Sequence, residues 1–210
     1  MVSLITICDD RPFMFFENSP SWLSQKGITY EIICYNSKNR SIREKADPSI
    51  RFVDSNGAWN ISLAYNTCLR ATKYDNILIT NCDMKLMSDH VIAAMYGFYN
   101  SSAMVTAYCF DKKGAMNPLL PFCMMIPKKA LLDIGGWDEE MGKGYAFEDE
   151  DLMARLCGYG LKYVRCPVQA IHVPHEKPEW GNVKQLWQNN YDRYLLKNKL
   201  RLTELAQFTI

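Results

Sequence analysis

Short apolar runs alternate with segments of helical periodicity through the first half of the chain. Val2 to Cys8, Tyr30 to Tyr35 and Ile50 to Asp54 are rich in β-branched residues and predict three strands. After the turn signal Ser55-Asn56-Gly57, residues Ile61, Tyr65, Cys68 and Leu69 recur at helical spacing, with Asn60 or Asn56 available as the N-cap. The next run, Asn76-Ile77-Leu78-Ile79-Thr80, is apolar without alternation, the pattern of a strand covered on both faces. A helix over about Ser88 to Tyr99 and a strand from Met104 to Phe110 follow. This βαβ progression predicts a parallel, doubly wound α/β sheet, an architecture that binds ligands beyond the C-terminal ends of its strands.

The second half is less regular. Phe122 to Ile126 reads as a strand, Lys128 opens a short helix, and Gly135-Gly136 marks a turn. An acidic run leads into a helix through Leu156, and Lys162 to Arg165 and Gln169 to Val173 read as two short strands. Val183 to Leu205 predicts an amphipathic helix with Lys197, Lys199 and Arg201 on a solvated face. No internal repeat, low-complexity segment or linker divides the chain, so a single domain is expected over residues 1–210.

Composition narrows the classes. A chain of 210 residues with 48% hydrophobic content suits one core that buries about 70% of the unfolded surface. Its 24 Lys+Arg balance 23 Asp+Glu, leaving no field for nonspecific binding to nucleic acid or anionic membrane. No run has the about 20 apolar residues of a membrane-spanning helix, and the N-terminus lacks the marks of a signal peptide. The eight cysteines form no CxxC pair and no zinc-ligand spacing, so they read as reduced core residues of a cytoplasmic protein.

Charge placement says more than net charge. Seven of the 23 acids lie between Asp138 and Asp151. Glu148-Asp149-Glu150-Asp151 opens a helix, where the dipole and free N–H groups accommodate one or two carboxylates. Four in succession repel one another, and one aimed into a cleft suits a general base. Trp137 is either a core residue or the floor of a sugar site. Asp83 follows the buried strand at Asn76 to Thr80, a position that suits either a divalent-cation ligand or a helix cap. His172 and His175 follow the last strand, where imidazole is either a surface group or a ligand for Mn²⁺.

Together these residues resemble glycosyltransferases of the GT-A fold, family 2-like enzymes in the branch shared by β-1,4-galactosyltransferases and polypeptide N-acetylgalactosaminyltransferases. The resemblance spans nearly the whole chain. Its strongest part is Gly135-Gly136-Trp137-Asp138-Glu139, then Gly144, then Glu148-Asp149-Glu150-Asp151-Leu152 with Arg155. Arg11-Pro12 after the first strand is similar to the family's opening loop, with Cys8, Asp9 and Asp10 departing from it. Asn36 stands where an aspartate commonly holds the nucleotide base. Asn56-Gly57 with Asn66 matches the donor-binding helix, and Asn81-Cys82-Asp83 matches the DxD motif with its first aspartate replaced.

The resemblance implies a single GT-A (Rossmann-like) domain, with a nucleotide-sugar half over about residues 1–110 and an acceptor and catalytic half over about 111–210. It implies transfer of a hexosyl or N-acetylhexosaminyl group from a nucleotide-diphosphate sugar, a UDP-sugar first, to an acceptor hydroxyl. Asp83 with His172 or His175 would hold Mn²⁺ or Mg²⁺. Cys8, Arg11, Asn36, Gly57, Asn66 and Asn81 would line the donor, and Trp137, Asp138, Glu148 and Glu150 the acceptor. Asp149 would be the general base of an inverting reaction. Glycans, lipid-linked sugars and proteins are the expected acceptors, with a modified nucleic-acid base as an outlier. A GT-A-like binding module that has lost turnover is the competing class, motivated by Asn36 and Asn81. A nucleotidyltransferase would need a glycine-rich loop after the first strand, and Cys8-Asp9-Asp10-Arg11 has no glycine.

Overall fold

The N-terminal apolar run forms β1 (Val2–Ile7), in which every residue is buried. Burial of both pleat faces is what a central parallel strand requires, because other elements cover the sheet on both sides. β2 (Tyr30–Tyr35) and β3 (Ile50–Val53) extend the sheet in parallel on one side, with Leu4 opposite Ile32 and Ile32 opposite Ile50. β4 (Asn76–Thr80) pairs parallel on the other side. The computed structural model describes residues 1–8, 11–36, 39–54, 60–116, 120–175 and 182–207, with side chains of the last segment described through 197.

β5 (Met84–Leu86), β6 (Ala103–Asp111), β7 (Gly114–Ala115), β8 (Cys123–Pro127) and β9 (Lys162–His172) complete one sheet. Its order is β3-β2-β1-β4-β8-β6-β9-β5, with β7 paired to β6. The α/β architecture of a central sheet flanked by helices, with a helix at the C-terminal end, agrees with the sequence reading. The second half adds antiparallel pairings that hydrophobicity does not register. β8 inserts between β4 and β6 and runs antiparallel to both. All five of its residues are buried, so a central position satisfies both of its faces.

The helices are α1 (Pro12–Leu23), α2 (Arg40–Lys45), α3 (Ile61–Ala71), α4 (Val91–Phe98), α5 (Lys128–Asp133), α6 (Glu148–Gly158) and α7 (Val183–Gln207), with a 3₁₀ turn at Met141–Lys143. Neither α1 nor α2 was expected from periodicity. α1 begins at Pro12, which suits the first helical turn, yet carries Pro20 inside it, and its aromatic residues fall on both faces: Phe15 and Trp22 are buried, Phe13 exposed. Asn60, rather than Asn56, caps α3, its Oδ1 accepting from the Leu63 N–H at 2.9 Å.

The two short strands read from Lys162 to Arg165 and Gln169 to Val173 are one strand. Against β6, Arg165 faces Thr106 and Gln169 faces Tyr108, so the register shifts between those pairs. Pro167 lies in the shifted stretch, where its missing N–H breaks no regular ladder bond.

The pleat sorts neighbouring residues into two cores. Leu4, Ile32, Leu78 and Met125 join Phe15, Trp22, Ile92 and Met95 on one face. Ile5, Ile33, Ile79 and Met124 join Tyr65, Leu69, Trp137, Leu152 and Leu156 on the other. Successive strand residues point to opposite faces, which is why each adjacent pair divides between the layers. The eight cysteines are all free, and only Cys157 is exposed. Among the described residues no helix is long and apolar enough to cross a membrane.

Candidate active site

The C-terminal ends of β1, β4 and β9 converge. Asp83 lies in the turn between β4 and β5, and its backbone carbonyl accepts from the Val173 N–H at 2.8 Å, tying the end of β9 to that turn. Both imidazoles present Nε2 to Asp83 Oδ2, His175 at 3.0 Å and His172 at 3.4 Å. Arg11, at the start of α1, donates from Nη1 to the same oxygen at 3.0 Å, and this nitrogen lies 3.0 Å from His175 Nε2. The Cys8 Sγ donates to the Arg11 carbonyl at 3.2 Å. Burial alone would raise the Asp83 pKa, but the His172 hydrogen bond and the His172, Arg11 and His175 charges outweigh it and lower it. The same hydrogen bond raises the His172 pKa.

Ligand atoms of Asp83, His172 and His175 lie within 4.8 Å of one another. One carboxylate and two imidazoles suit a borderline divalent cation such as Mn²⁺. Asp83 Oδ1 is buried and makes no hydrogen bond, so an acceptor remains for a cation even with Oδ2 engaged by Arg11. The donor set therefore fits a metal.

A second group of residues is organised by α6. Ala146 and Phe147 both adopt left-handed backbone (φ 63° and 69°), a conformation costly for non-glycine residues. Tertiary contacts hold it. Asn190 of α7 donates from Nδ2 to the carbonyls of Met141 at 2.9 Å and Ala146 at 2.6 Å, and the Phe147 ring packs among Trp187, Tyr191 and Tyr194. Gly144 is required here, since a Cβ on it would lie 2.1 Å from Asn190 Oδ1. The bend sets Glu148 and Asp149 at the start of α6, both only partly exposed. Burial, followed by the Glu148 and Glu150 charges, raises the Asp149 pKa well above that of an ordinary aspartate. The Trp137 indole N–H acts in the opposite direction on Asp149, though it is buried and makes no hydrogen bond of normal geometry. Burial likewise raises Glu148, with Glu150 adding to it.

The acids of this run have different fates. Asp151 is fully buried, receives Arg155 Nε at 2.7 Å and faces Lys197 Nζ at 3.4 Å. Asp138 pairs with Lys197, which together with the Glu140 N–H lowers its pKa against the effect of burial. Lys197 is thus an internal clamp and not a solvated residue; the side chains of Lys199 and Arg201 lie outside the described residues. The mechanism is packing: α7 lies against the acidic segment, so a lysine on its inward face meets carboxylates.

Several residues expected to touch ligand are engaged elsewhere. Asn36 is buried, and its amide closes a local turn, Oδ1 accepting from the Asn39 N–H at 2.9 Å and Nδ2 donating to the Asn39 carbonyl at 3.1 Å. Asn66 exchanges two 2.9 Å hydrogen bonds with the Trp137 backbone, which makes it a clamp on the Gly136-Trp137 segment. Trp137 is 1% exposed and lies beneath Tyr65, so its face is not a sugar floor. Gly57 lies outside the described residues.

Tyr65 is the residue the sequence reading took only as part of a helical face. Its ring stacks on Trp137 with centroids 4.6 Å apart, and its hydroxyl donates to Asn81 Oδ1 at 2.5 Å. Burial, then the charges of Asp149 and Asp83, push its pKa well up, so Tyr65 stands between the two groups of acids as a protonated donor. The polar tip of a mid-helix tyrosine at the strand ends was the available signal.

No protein-family model matches the chain, and no curated protein matches it in sequence. Solved structures do match its fold. A mannosyltransferase of Pyrobaculum calidifontis in complex with GDP-Man and Mn²⁺ aligns over 97% of this chain and 64% of its own, at 12% identity and TM-score 0.68. S. aureus TarS (residues 1–349) in complex with UDP-GlcNAc aligns over 86% of this chain and 60% of its own, at 12% identity and TM-score 0.71. The chain spans less than two thirds of the length of these structures. Its fold is that of GT-A-type glycosyltransferases; at this identity the likeness defines the fold and leaves the activity to the site.

Proposed function

We propose that the protein is a metal-dependent glycosyltransferase that moves a sugar, of the hexosyl or N-acetylhexosaminyl class, from a nucleoside-diphosphate sugar to an acceptor hydroxyl. The observation that carries this reading is the Asp83, His172 and His175 cluster at the strand ends, where ligand atoms of one carboxylate and two imidazoles lie within 4.8 Å of one another. The fold neighbours, whose structures hold GDP-Man with Mn²⁺ and UDP-GlcNAc, support the donor class.

Asp83, His172 and His175 would hold the cation, Mn²⁺ or Mg²⁺, which when bound neutralises charge on the leaving diphosphate. Arg11 adds a fixed positive charge at the same place. Asp149 accepts the acceptor hydroxyl's proton as that oxygen bonds to the anomeric carbon and the bond from that carbon to the diphosphate oxygen breaks. A carboxylate with a raised pKa is a stronger base than an ordinary aspartate, which suits this role. A single base on the acceptor side favours inversion. Residues 1–110 would carry the donor and the remainder the acceptor, with Glu148 and Glu150 flanking the acceptor hydroxyl and Asp138 bracing the loop. A UDP-sugar is the first donor to test and a glycan, lipid-linked or protein hydroxyl the first acceptor class.

A screen of UDP- and GDP-sugars for hydrolysis or transfer, with MnCl₂ and with EDTA, tests the reading. Metal-dependent release of nucleoside diphosphate is expected, and the anomeric configuration of the product by NMR distinguishes inversion from retention. Binding of nucleotides with no turnover of any donor would instead favour the silent binding module that Asn36 and Asn81 suggest.

A further inference from the structure

Asn81 follows β4 directly and stands two residues before Asp83. Its side chain is an amide, so it presents an acceptor on one side and two N–H donors on the other. The Tyr65 hydroxyl engages the acceptor side, at 2.5 Å from Oδ1. Tyr65 cannot readily turn away, being 4% exposed and stacked on Trp137 at an interplanar angle of 15°. A phenol has one proton, and giving it to Oδ1 leaves both Nδ2 hydrogens for another partner. Among the described residues Nδ2 has none, and Asn81 is partly exposed at the strand ends beside Asp83. A carboxylate at this position would offer only acceptors and add a second negative charge next to Asp83.

We infer that Tyr65 is a positioning residue that locks Asn81 with its amide N–H groups toward the cleft, making Asn81 a hydrogen-bond donor to the diphosphate of a nucleoside-diphosphate ligand. The inference rests on the donor class proposed above. It explains the asparagine chemically: donor N–H groups beside one carboxylate leave less anionic charge for a cation to offset. Binding of the nucleotide therefore persists in part without metal, held by Asn81 and Arg11.

Calorimetric titration of the full chain with UDP and with GDP, each with MnCl₂ and with EDTA, tests this. The wild type binds one of them in EDTA. Tyr65→Phe and Asn81→Ala each weaken that binding by about tenfold, the scale of one hydrogen bond. The double variant is no weaker than Asn81→Ala alone, whereas a Tyr65 that merely supports the fold would add its own loss. Asn81→Asp loses metal-free binding by tenfold or more and recovers it with MnCl₂. Additive losses in the double variant overturn the inference, as does an Asn81→Asp protein that keeps metal-free affinity. The Asn81→Asp measurement stands alone if Tyr65→Phe does not fold, because it changes an isosteric, partly exposed group. A wild type that binds neither nucleotide, with or without metal, overturns the glycosyltransferase reading itself; wild-type binding without coupling overturns only the role of Tyr65.

Discussion

Asp149 and Asp151 stand two residues apart at the start of α6, and the same isosteric change is expected to move stability in opposite directions at the two positions. Asp149 carries its charge in a largely dehydrated setting beside Glu148 and Glu150, which is why its pKa is raised. A carboxylate whose folded pKa exceeds its unfolded value opposes folding when ionised, and that penalty disappears as pH falls through the folded pKa. Asp149→Asn should therefore stabilise the protein at neutral pH by about 1 kcal/mol or more, with the gain shrinking on acidification. Asp151 is the reverse case. Its side chain is 1% exposed and faces Arg155 at 2.7 Å and Lys197 at 3.4 Å, so Asp151→Asn leaves two cations against a neutral amide. Breaking a buried pair in this way costs about 3 kcal/mol. Urea unfolding followed by circular dichroism at neutral and mildly acidic pH measures both effects, and a donor-transfer assay on the same samples reads activity. The expected result is an Asp149→Asn protein that is more stable, still binds nucleotide and does not transfer. A loss of stability in that variant, or a gain that grows on acidification, would refute the reasoning.

Transfer should fall on acidification at a higher pH than an ordinary aspartate would dictate, because Asp149 must be ionised to accept a proton; a pH–rate profile checks this. Asp83→Ala should lower transfer by about a hundredfold or more and remove the response to added MnCl₂, as read by nucleotide release with and without EDTA. Asn190→Ala deletes both hydrogen bonds that hold the left-handed turn before α6 and should cost about 2 kcal/mol, with a parallel loss of transfer, measured by thermal unfolding and turnover. Gly136→Ala places a Cβ 2.3 Å from Asn66 Oδ1 at a φ of +72°, and should cost about 3 kcal/mol by denaturant titration through strain and the broken Asn66 clamp.

The strands were legible because their burial is written in continuous apolar runs. Val2 to Ile7, Ile32 to Tyr35 and Ile77 to Thr80 are buried on both faces, the pattern that their mainly apolar sequence predicts. Helix α1 was not legible: Pro20 lies inside it, and its buried Phe15 and Trp22 share the segment with an exposed Phe13. Lys162 to Arg165 and Gln169 to Val173 read as two strands, and the pairing with β6 that joins them through a register shift around Pro167 is a tertiary feature that neither segment shows by itself.

Chemistry divides in the same way. The residue types that suit a cation and a base, and their place after buried strands and at a helix start, follow from the order of amino acids alone. Which of them meet does not. Asn36, Asn66 and Asp138 carry the same polar atoms as Asn81 and Asp149, yet the fold commits them to a turn, a backbone clamp and a lysine. Lys197 reads as solvated until α7 lies across the acidic segment, and Tyr65 reads as core until its hydroxyl is found on Asn81. Local sequence determines element type and the buried face where the 2.0 or 3.6 period is unbroken, because these depend on near neighbours. The contacts that build the site join groups far apart in the chain, 16 residues for Tyr65 and Asn81, 73 for Asn66 and Glu139 and 92 for Asp83 and His175, and only the packed tertiary structure brings those together.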